Sequence, residues 1–476
     1  MPKKTCTGAD ALIHCIQQHG VEYIFGHPGG AAIPIFDALV DSPIKFILTR
    51  HEQGATHMAD GYARATGRAG VALVTSGPGA TNTITGIMTA MMDSVPMLVI
   101  TGQTIQSMLG LDAFQEADVM GLTYAAVKHS YLVRNPNDIP RIVKEAFYIA
   151  ESGRPGPVLI DIPKDVSGAI IEPNYNVEID LPGYVIPSAG DPEAIARCAE
   201  LLAAAKKPLL LIGHGAVISD AGRPLKALAE KLQIPIVNTL LGKGAFPETH
   251  ELSLGMLGMH GTAYANMAVA ECDLIMSVGS RWDDRITGKL AAFCPNAVKI
   301  HVDIDPAEIG KMIKPHCAIV GDARLVLEEL LPLARKGDTG EWISHLKKLK
   351  KRFPLHYRMH GGLKAQYVLD ELFRLTKGKA IVTTDVGQHQ MWAAQFYKTD
   401  HRFHWISSGG AGTMGFGMPA AIGAQFARPD AQVIAVVEVR QPASKENERA
   451  RRRHARMDRV LDAARIPVHV WLEGAL

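Results

Sequence analysis

Short apolar runs recur along the first third of this chain, and a stretch long enough for a helix lies between several of them. Residues 21–25, 46–49, 71–75, 97–101 and 158–162 each read as a strand that is apolar on both faces. Strands of that kind belong to parallel sheets, where both faces are covered. Residues 55–66 and 81–92 are the clearest helices between them. Strand–helix alternation therefore predicts a doubly wound parallel sheet.

The pattern breaks and restarts twice. Residues 172–192 hold four prolines and no clear periodicity, the mark of a surface linker. A second set of strands follows at 209–212, 234–239, 274–278 and 299–304, ending near residue 333. A charged helix at 342–353 leads to a third set at 380–384, 403–407 and 433–437. At roughly 150 residues per domain, a chain of 476 residues has room for about three. The predicted fold is α/β, three doubly wound parallel-sheet domains with the third incomplete. The predicted boundaries are 1–172, 190–335 and 365–437, with 438–476 an unrelated tail. The first and third sets share an order: Gly-rich turn, Ala-rich helix, proline, strand.

Composition excludes several classes. The net charge of +2 gives no global field for nucleic acid or membrane. The six cysteines form no Cys-x-x-Cys pair, so they read as reduced thiols rather than a disulfide frame or zinc site. The first residues lack a secretory core, and no apolar run approaches the roughly 18 residues of a membrane span. A cytoplasmic protein with no nucleic-acid or membrane partner is expected.

Ligands of open parallel sheets bind beyond the carboxyl ends of the strands. There the first domain places His27-Pro28-Gly29-Gly30, Arg50-His51-Glu52, Ser76-Gly77-Pro78-Gly79 and Gly102-Gln103. Glu52 is either a first-turn carboxylate stabilised by a helix dipole or a buried proton carrier with a shifted pKa. The glycines either make turns or let backbone approach a ring system. Asn82 fits a simple helix cap, and Phe114 and Gln115 lie in a loop where an aromatic is most often core. In the second domain Arg281 and Arg285 suit bidentate phosphate binding, or a surface cluster with Asp283 and Asp284. Asp303 and Asp305 follow a strand where a ribose hydroxyl is often held. In the third, Gly410-x-Gly412-x-x-Gly415 with Glu438 matches a dinucleotide fingerprint, a short and weak pattern in so glycine-rich a chain.

Longer blocks carry more. HPGGAAIPIFDAL, RHEQGATHMADGYARATG, SGPGATNTITGI, DAFQEAD, GRPGPVLIDIPKDV, LLGKGAFPE, MLGMHGTAYAN, RWDDRITGK, VDIDPAEIGK, GQHQMWAAQFY and GAGTMGFGMPAAIGAQ occur in this order. Over about residues 5–437 the chain resembles the acetolactate synthase large-subunit family. The resemblance implies a pyrimidine-binding, an FAD-binding and a diphosphate-binding domain. It implies condensation of two pyruvates, or pyruvate with 2-ketobutyrate, with thiamine diphosphate, Mg2+ and FAD as cofactors. A homodimer or tetramer and a small regulatory subunit are implied as partners. By the same resemblance Glu52 meets the aminopyrimidine and helps form the ylid, and Gln103 lies near the reacting centre. Pro28, Gly29, Ser76, Gly79 and Asn82 belong with Glu52 to the cofactor site, and Gln388, His389 and Met414 approach it from another domain. Gly30, Phe114, Gln115 and Lys164 line the substrate entrance. Arg154, His260, Arg281, Arg285, Asp303 and Asp322 bind a largely structural FAD. Trp282 stands where the family usually has Phe.

The chain departs from the family after Val437. The family continues with Gly-Asp-Gly and an Asn-Asn stretch that hold the metal and diphosphate. Here the sequence reads EVRQPASKENERARRRHARMDRVLDAARIPVHVWLEGAL. No residue of this chain is therefore assigned as a metal ligand, and little acetolactate formation is expected. The alternatives are a non-catalytic FAD-binding homologue that dimerises or binds a partner subunit, and a dehydrogenase using residues 410–415.

Overall fold

The computed structural model describes residues 5–359, 362–439 and 468–473. The Arg-rich part of the tail lies outside these residues, as do the Glu438 side chain and the dehydrogenase alternative that depends on it. The chain divides into two compact units. One is built on the residues up to Tyr184 with Ser408–Ala435, the other on Val185–Ser407.

The main sheet of the first unit has six strands: β1 (Tyr23–His27), β2 (Lys45–Leu48), β3 (Gly70–Val74), β4 (Met97–Gln103), β5 (His129–Leu132) and β6 (Pro157–Pro163). They hydrogen-bond in the order β2-β1-β3-β4-β6-β5, parallel throughout. The order reverses between β1 and β3, which opens a crevice at their carboxyl ends. One core lies on each face of the sheet, around Leu12, Ile16 and Ile35 on one side and Phe25, Ala55 and Ala59 on the other.

Helix α1 (Glu52–Thr66) follows β2. It starts three residues earlier than periodicity predicts because the His51 ring caps it, accepting from Gln53 N at 3.1 Å. It stops at Gly67, which is left-handed at φ 75. The helix expected over 81–92 is divided into a short turn, Pro78–Thr81, and α2 (Ile84–Asp93). At the break Asn82 turns its amide to Glu52 instead of capping a helix. Strand β5 was not visible in the sequence because HSYL is a short edge strand without an apolar run.

The second unit contains β7 (Pro208–Ile212), β8 (Ile236–Asn238), β9 (Ser253–Met256), β10 (Leu274–Val278), β11 (Val298–Asp303) and β12 (Cys317–Val320). Their order is β9-β8-β7-β10-β11-β12, again parallel. In their own numbering this is 3-2-1-4-5-6, the order that holds dinucleotides where it reverses. The reversal lies between β7 and β10. A third sheet has the order β14-β13-β15-β16, from β13 (Ile381–Thr384), β14 (Trp405–Ser407), β15 (Val433–Val439) and β16 (Val468–Glu473). Residues 468–473 thus form a strand within the stretch assigned to the tail. The three larger sheets fit the α/β class. Among the described residues no helix is long and apolar enough to cross a membrane.

Candidate functional site

Two strands end side by side at the reversal in the first unit, His27 of β1 beside Val74 of β3. Beyond them the chain makes two turns that meet at Thr75. A Cβ on Gly29 would lie 2.5 Å from the Thr75 side chain, and one on Gly79 would lie 2.7 Å from it. Only glycine permits both turns to close on this threonine. Ser76 is buried beneath the second turn, and its carbonyl accepts from Gly79 N at 3.1 Å. Pro28 and Gly30 lie open to solvent, and a Cβ on Gly30 would meet nothing within 4 Å.

Glu52 reaches this place from the first turn of α1. It is 9% exposed, and its Oε2 accepts from Asn82 Nδ2 at 2.9 Å. Its Oε1 would lie 3.4 Å from a Cβ on Gly79. The first-turn position and the buried position, alternatives in the sequence, are both occupied by the one residue. Oε1 carries no protein hydrogen bond, so a buried carboxylate presents one fixed and one available oxygen.

The neighbouring strand end supplies the next group. Gln103 closes β4 and is buried; its Nε2 donates to Asp161 Oδ2 at 2.9 Å and to Ala117 O at 2.8 Å. Its Oε1 accepts from Thr104 N at 2.8 Å. Asp161 lies inside β6, where burial pushes its carboxyl up to about 7 against hydrogen bonds from Thr101 and Gln103. Thr101 Oγ1 donates to it at 2.6 Å. Asp161 was missed in the sequence, although a lone acid inside the apolar run VLIDIP is a usable signal.

Gln103 pairs in register with Pro163, and Lys164 follows as the exposed first residue of helix α3 (Lys164–Gly168). Gln115 packs on the second glycine turn: a Cβ on Gly77, which sits at φ 56, would strike Gln115 Cα at 2.9 Å. Phe114 is 89% exposed, which overturns the expectation that an aromatic there is core. The exposed loop holds its side chain out because the adjacent Gln115 is the residue pressed against the turn.

The same unit places residues 408–417 against α2. Gly409 N and Gly410 N donate to the Asp93 carboxylate at 3.0 and 2.7 Å. Arg64 Nη2 also donates to Asp93, at 2.7 Å, and Arg64 Nε donates to Asp60 at 2.6 Å. Both carboxylates hold the buried guanidinium charged, above its ordinary value. Beside the cluster, burial and then Arg64 lower the His57 imidazole to about 4. Met414 projects from the same turn and is 65% exposed. Arg154 also lies in this unit, its Nε donating to Ser94 Oγ at 2.9 Å.

In the second unit Gly213 and Gly279 follow β7 and β10. A Cβ on Gly213 would lie 2.1 Å from Gly279 O, so the two strand exits are in backbone contact. Arg281 faces Asp283 at 3.9 Å in a part-exposed pair and Arg285 faces Asp284 at 3.7 Å in an exposed one, both of the weak surface kind. His260 is held below its usual range by burial and then by Arg285. Asp303 is buried at the end of β11 and accepts from Asp305 N. Asp322 caps the helix Ala323–Leu333 through Arg324 N and Leu325 N at 3.0 and 3.1 Å. Trp282 is 2% exposed, and its indole N–H has no partner. Gln388 and His389 open helix Gln388–Phe396, the first exposed and the second buried. Among the described residues no group of three or more His, Cys, Asp or Glu is arranged to hold a metal.

Comparison with known proteins divides the chain into three. Residues 6–122 match the thiamine pyrophosphate enzyme N-terminal TPP binding domain, 195–330 the central domain and 385–437 the C-terminal TPP binding domain. The chain is 52% identical over 448 residues to the acetolactate synthase large subunit of Parasynechococcus marenigrum, covering 91% of this chain and 72% of that one. It is 48% identical to the Corynebacterium glutamicum large subunit, with 90% and 70% covered. To the isozyme 3 large subunit of Escherichia coli it is 47% identical, with 90% and 77% covered.

Proposed function

The chain belongs to the acetolactate synthase large-subunit family of thiamine pyrophosphate enzymes, and from that premise we propose that its first unit is the pyrimidine half of a pyruvate-condensing site. The reaction is condensation of two pyruvates to 2-acetolactate and CO2, or of pyruvate with 2-ketobutyrate. The observation that carries it is Glu52, buried beside the Thr75 cradle with Oε2 held by Asn82 and Oε1 available. When bound, thiamine diphosphate supplies the nucleophile and electron sink. Glu52 holds and returns a proton at Oε1, while Asn82 keeps the carboxylate from rotating. Gly29 and Gly79 let the two turns close on Thr75 beside Glu52. Gln103 lies near the reacting centre with its amide fixed by Asp161, Ala117 and Thr104, and Gly30, Phe114, Gln115 and Lys164 line the way in. Pro28 and Ser76 shape the two turns, and Met414 is assigned to the same cofactor.

FAD is assigned to the second unit. Support comes from the 3-2-1-4-5-6 order, the Gly213–Gly279 contact at its reversal, and the position of His260, Arg281, Arg285, Asp303 and Asp322 beyond the strand ends. The domain boundaries 1–172, 190–335 and 365–437, a cytoplasmic homodimer or tetramer, and a small regulatory subunit as partner belong to the same proposal.

The metal end does not fit. The sequence after Val437 has no Gly-Asp-Gly, the segment by which the resembled family holds metal and diphosphate. A diphosphate needs a cation and oriented donors against its desolvation. This favours the second reading, a flavin-binding homologue with little or no turnover. Calorimetric titration with thiamine diphosphate and Mg2+, beside a colorimetric acetolactate assay, separates the two. Micromolar binding with turnover supports the enzyme, whereas flavin absorbance without turnover supports the homologue. A folded, colourless protein unresponsive to added FAD removes the flavin assignment.

A further inference from the structure

The turn that carries Met414 is tied at both ends to one face of α2. At its start, Gly409 N and Gly410 N donate to Asp93. Near its end, the Thr413 hydroxyl meets the Thr89 hydroxyl at 2.6 Å. Thr89 and Asp93 are four residues apart on α2, so their side chains stand one above the other on the same face. Thr89 is itself oriented, because its hydroxyl also reaches Thr85 O at 2.8 Å. Inside the turn, Thr413 N donates to Ser408 Oγ at 2.9 Å. Steric fit closes the arrangement: a Cβ on Gly410 would lie 2.9 Å from Met92 Cβ and 3.1 Å from Asp93 Oδ1.

Asp93 does not act alone. Arg64 holds Oδ2 of the same carboxylate, and Arg64 stands 5.3 Å over the ring of Phe416, just past the turn. The turn is thus gripped before, within and behind Met414, while the Met414 side chain itself stays exposed.

We propose that Thr89 and Asp93 are positioning residues, a two-point clamp on α2 that sets the conformation of residues 409–415 and thereby the position of Met414. This rests on the assignment of Met414 to the cofactor site only for its functional meaning; the clamp itself is a property of the turn. The physical basis is preorganisation. Charge-assisted hydrogen bonds to two successive peptide N–H groups hold a glycine-rich segment that otherwise has many conformations. A turn fixed before the cofactor arrives avoids the ordering cost at binding.

The test uses the full chain without cofactor. Asp93→Asn and Thr89→Val are compared with the parent by hydrogen exchange and by the 13C-methyl resonances of methionine. The Met414 resonance is identified by its loss in Met414→Leu. The clamp predicts that Asp93→Asn speeds exchange at Gly409 and Gly410 by about tenfold or more, with the rest of α2 still protected. It predicts that Thr89→Val, nearly unchanged in volume, shifts or broadens the Met414 methyl signal. If Asp93→Asn does not fold, Thr89→Val decides alone. Unchanged exchange and an unchanged Met414 resonance overturn the clamp whatever the cofactor does. Thiamine diphosphate titration of Met414→Leu tests the cofactor assignment separately, since affinity equal to the parent's removes the assignment and leaves the clamp standing.

Discussion

Each compact unit buries a charge cluster against loose backbone, and the groups that face that backbone are opposite in sign. In the first, Asp60, Arg64 and Asp93 carry a formal net charge of −1, and the excess faces the N–H groups of Gly409 and Gly410. In the second, Lys243 and Glu248 are neutral as a pair. The Lys243 ammonium donates to Glu248 Oε2 at 2.6 Å, to Ala394 O at 2.9 Å and to Tyr397 O at 3.2 Å. Those carbonyls belong to the carboxyl end of helix Gln388–Phe396 and the residue after it, where acceptors lack intrahelical partners. Glu248 in turn accepts from Thr399 N at 2.9 Å. In each cluster the charged group facing the backbone matches the polarity of the peptide groups beside it. A carboxylate faces orphan donors and an ammonium faces orphan acceptors.

The largest effect is expected where neutralisation is least complete. Arg64→Met leaves Asp60 and Asp93 buried together without their cation, and should cost at least about 3–5 kcal/mol. Chemical denaturation, with exchange protection in α1 as the local probe, measures it. A loss under about 1 kcal/mol means that the peptide donors alone neutralise the carboxylates, and the contrast with the second unit disappears.

Lys243→Met should follow at about 3 kcal/mol, because Glu248 and two carbonyls lose their donor. The double variant Lys243→Met with Glu248→Leu sharpens the comparison. Removing both charges should recover part of the loss but not all, since Ala394 O, Tyr397 O and Thr399 N remain unpaired. Full recovery in the denaturation midpoint excludes an anchoring role for this pair.

A pH effect of at most about 3 kcal/mol belongs to the first unit. His57 falls to about 4 when folded, from an ordinary 6.5. Between those values the unfolded chain holds a proton that the folded chain refuses. The His57 contribution is therefore full above about 6.5 and is lost as pH falls towards 4. Thermal midpoints of His57→Phe should decline less over that window than those of the parent. Equal slopes would place the acid sensitivity elsewhere.

The smallest effect concerns a buried donor with no partner. Trp282 loses a hydrogen bond to burial, whereas Phe has none to lose, at the cost of some packing against Phe293 and His301. Trp282→Phe should change stability by no more than about 1 kcal/mol. A larger loss in the denaturation curve shows that indole packing outweighs the unpaired N–H.

Much of this was legible in the chain. The strand runs and their exits are local patterns, set by side-chain periodicity and glycine turns, so β1, β3, β4, β6, β7 and β10 stand close to where the apolar runs lie. Glu52, Gly29 and Gly79 are legible for the same reason, since a parallel sheet puts consecutive strand exits on one edge. The short strands β5 and β9 are not, because HSYL and SLGM carry too little apolar signal. Nor is the role of Asn82, whose short polar side chain suits a cap until a partner stands opposite.

What only the tertiary structure decided is pairing across distance. Asp93 and Gly409 are separated by 316 positions, and Lys243 and Ala394 by 151. An aspartate after an apolar helix, or a lysine in a glycine-rich loop, has no local mark that it will be buried. Burial of a charge costs free energy unless a partner of the right polarity arrives, and the fold alone determines which backbone groups are left to be that partner.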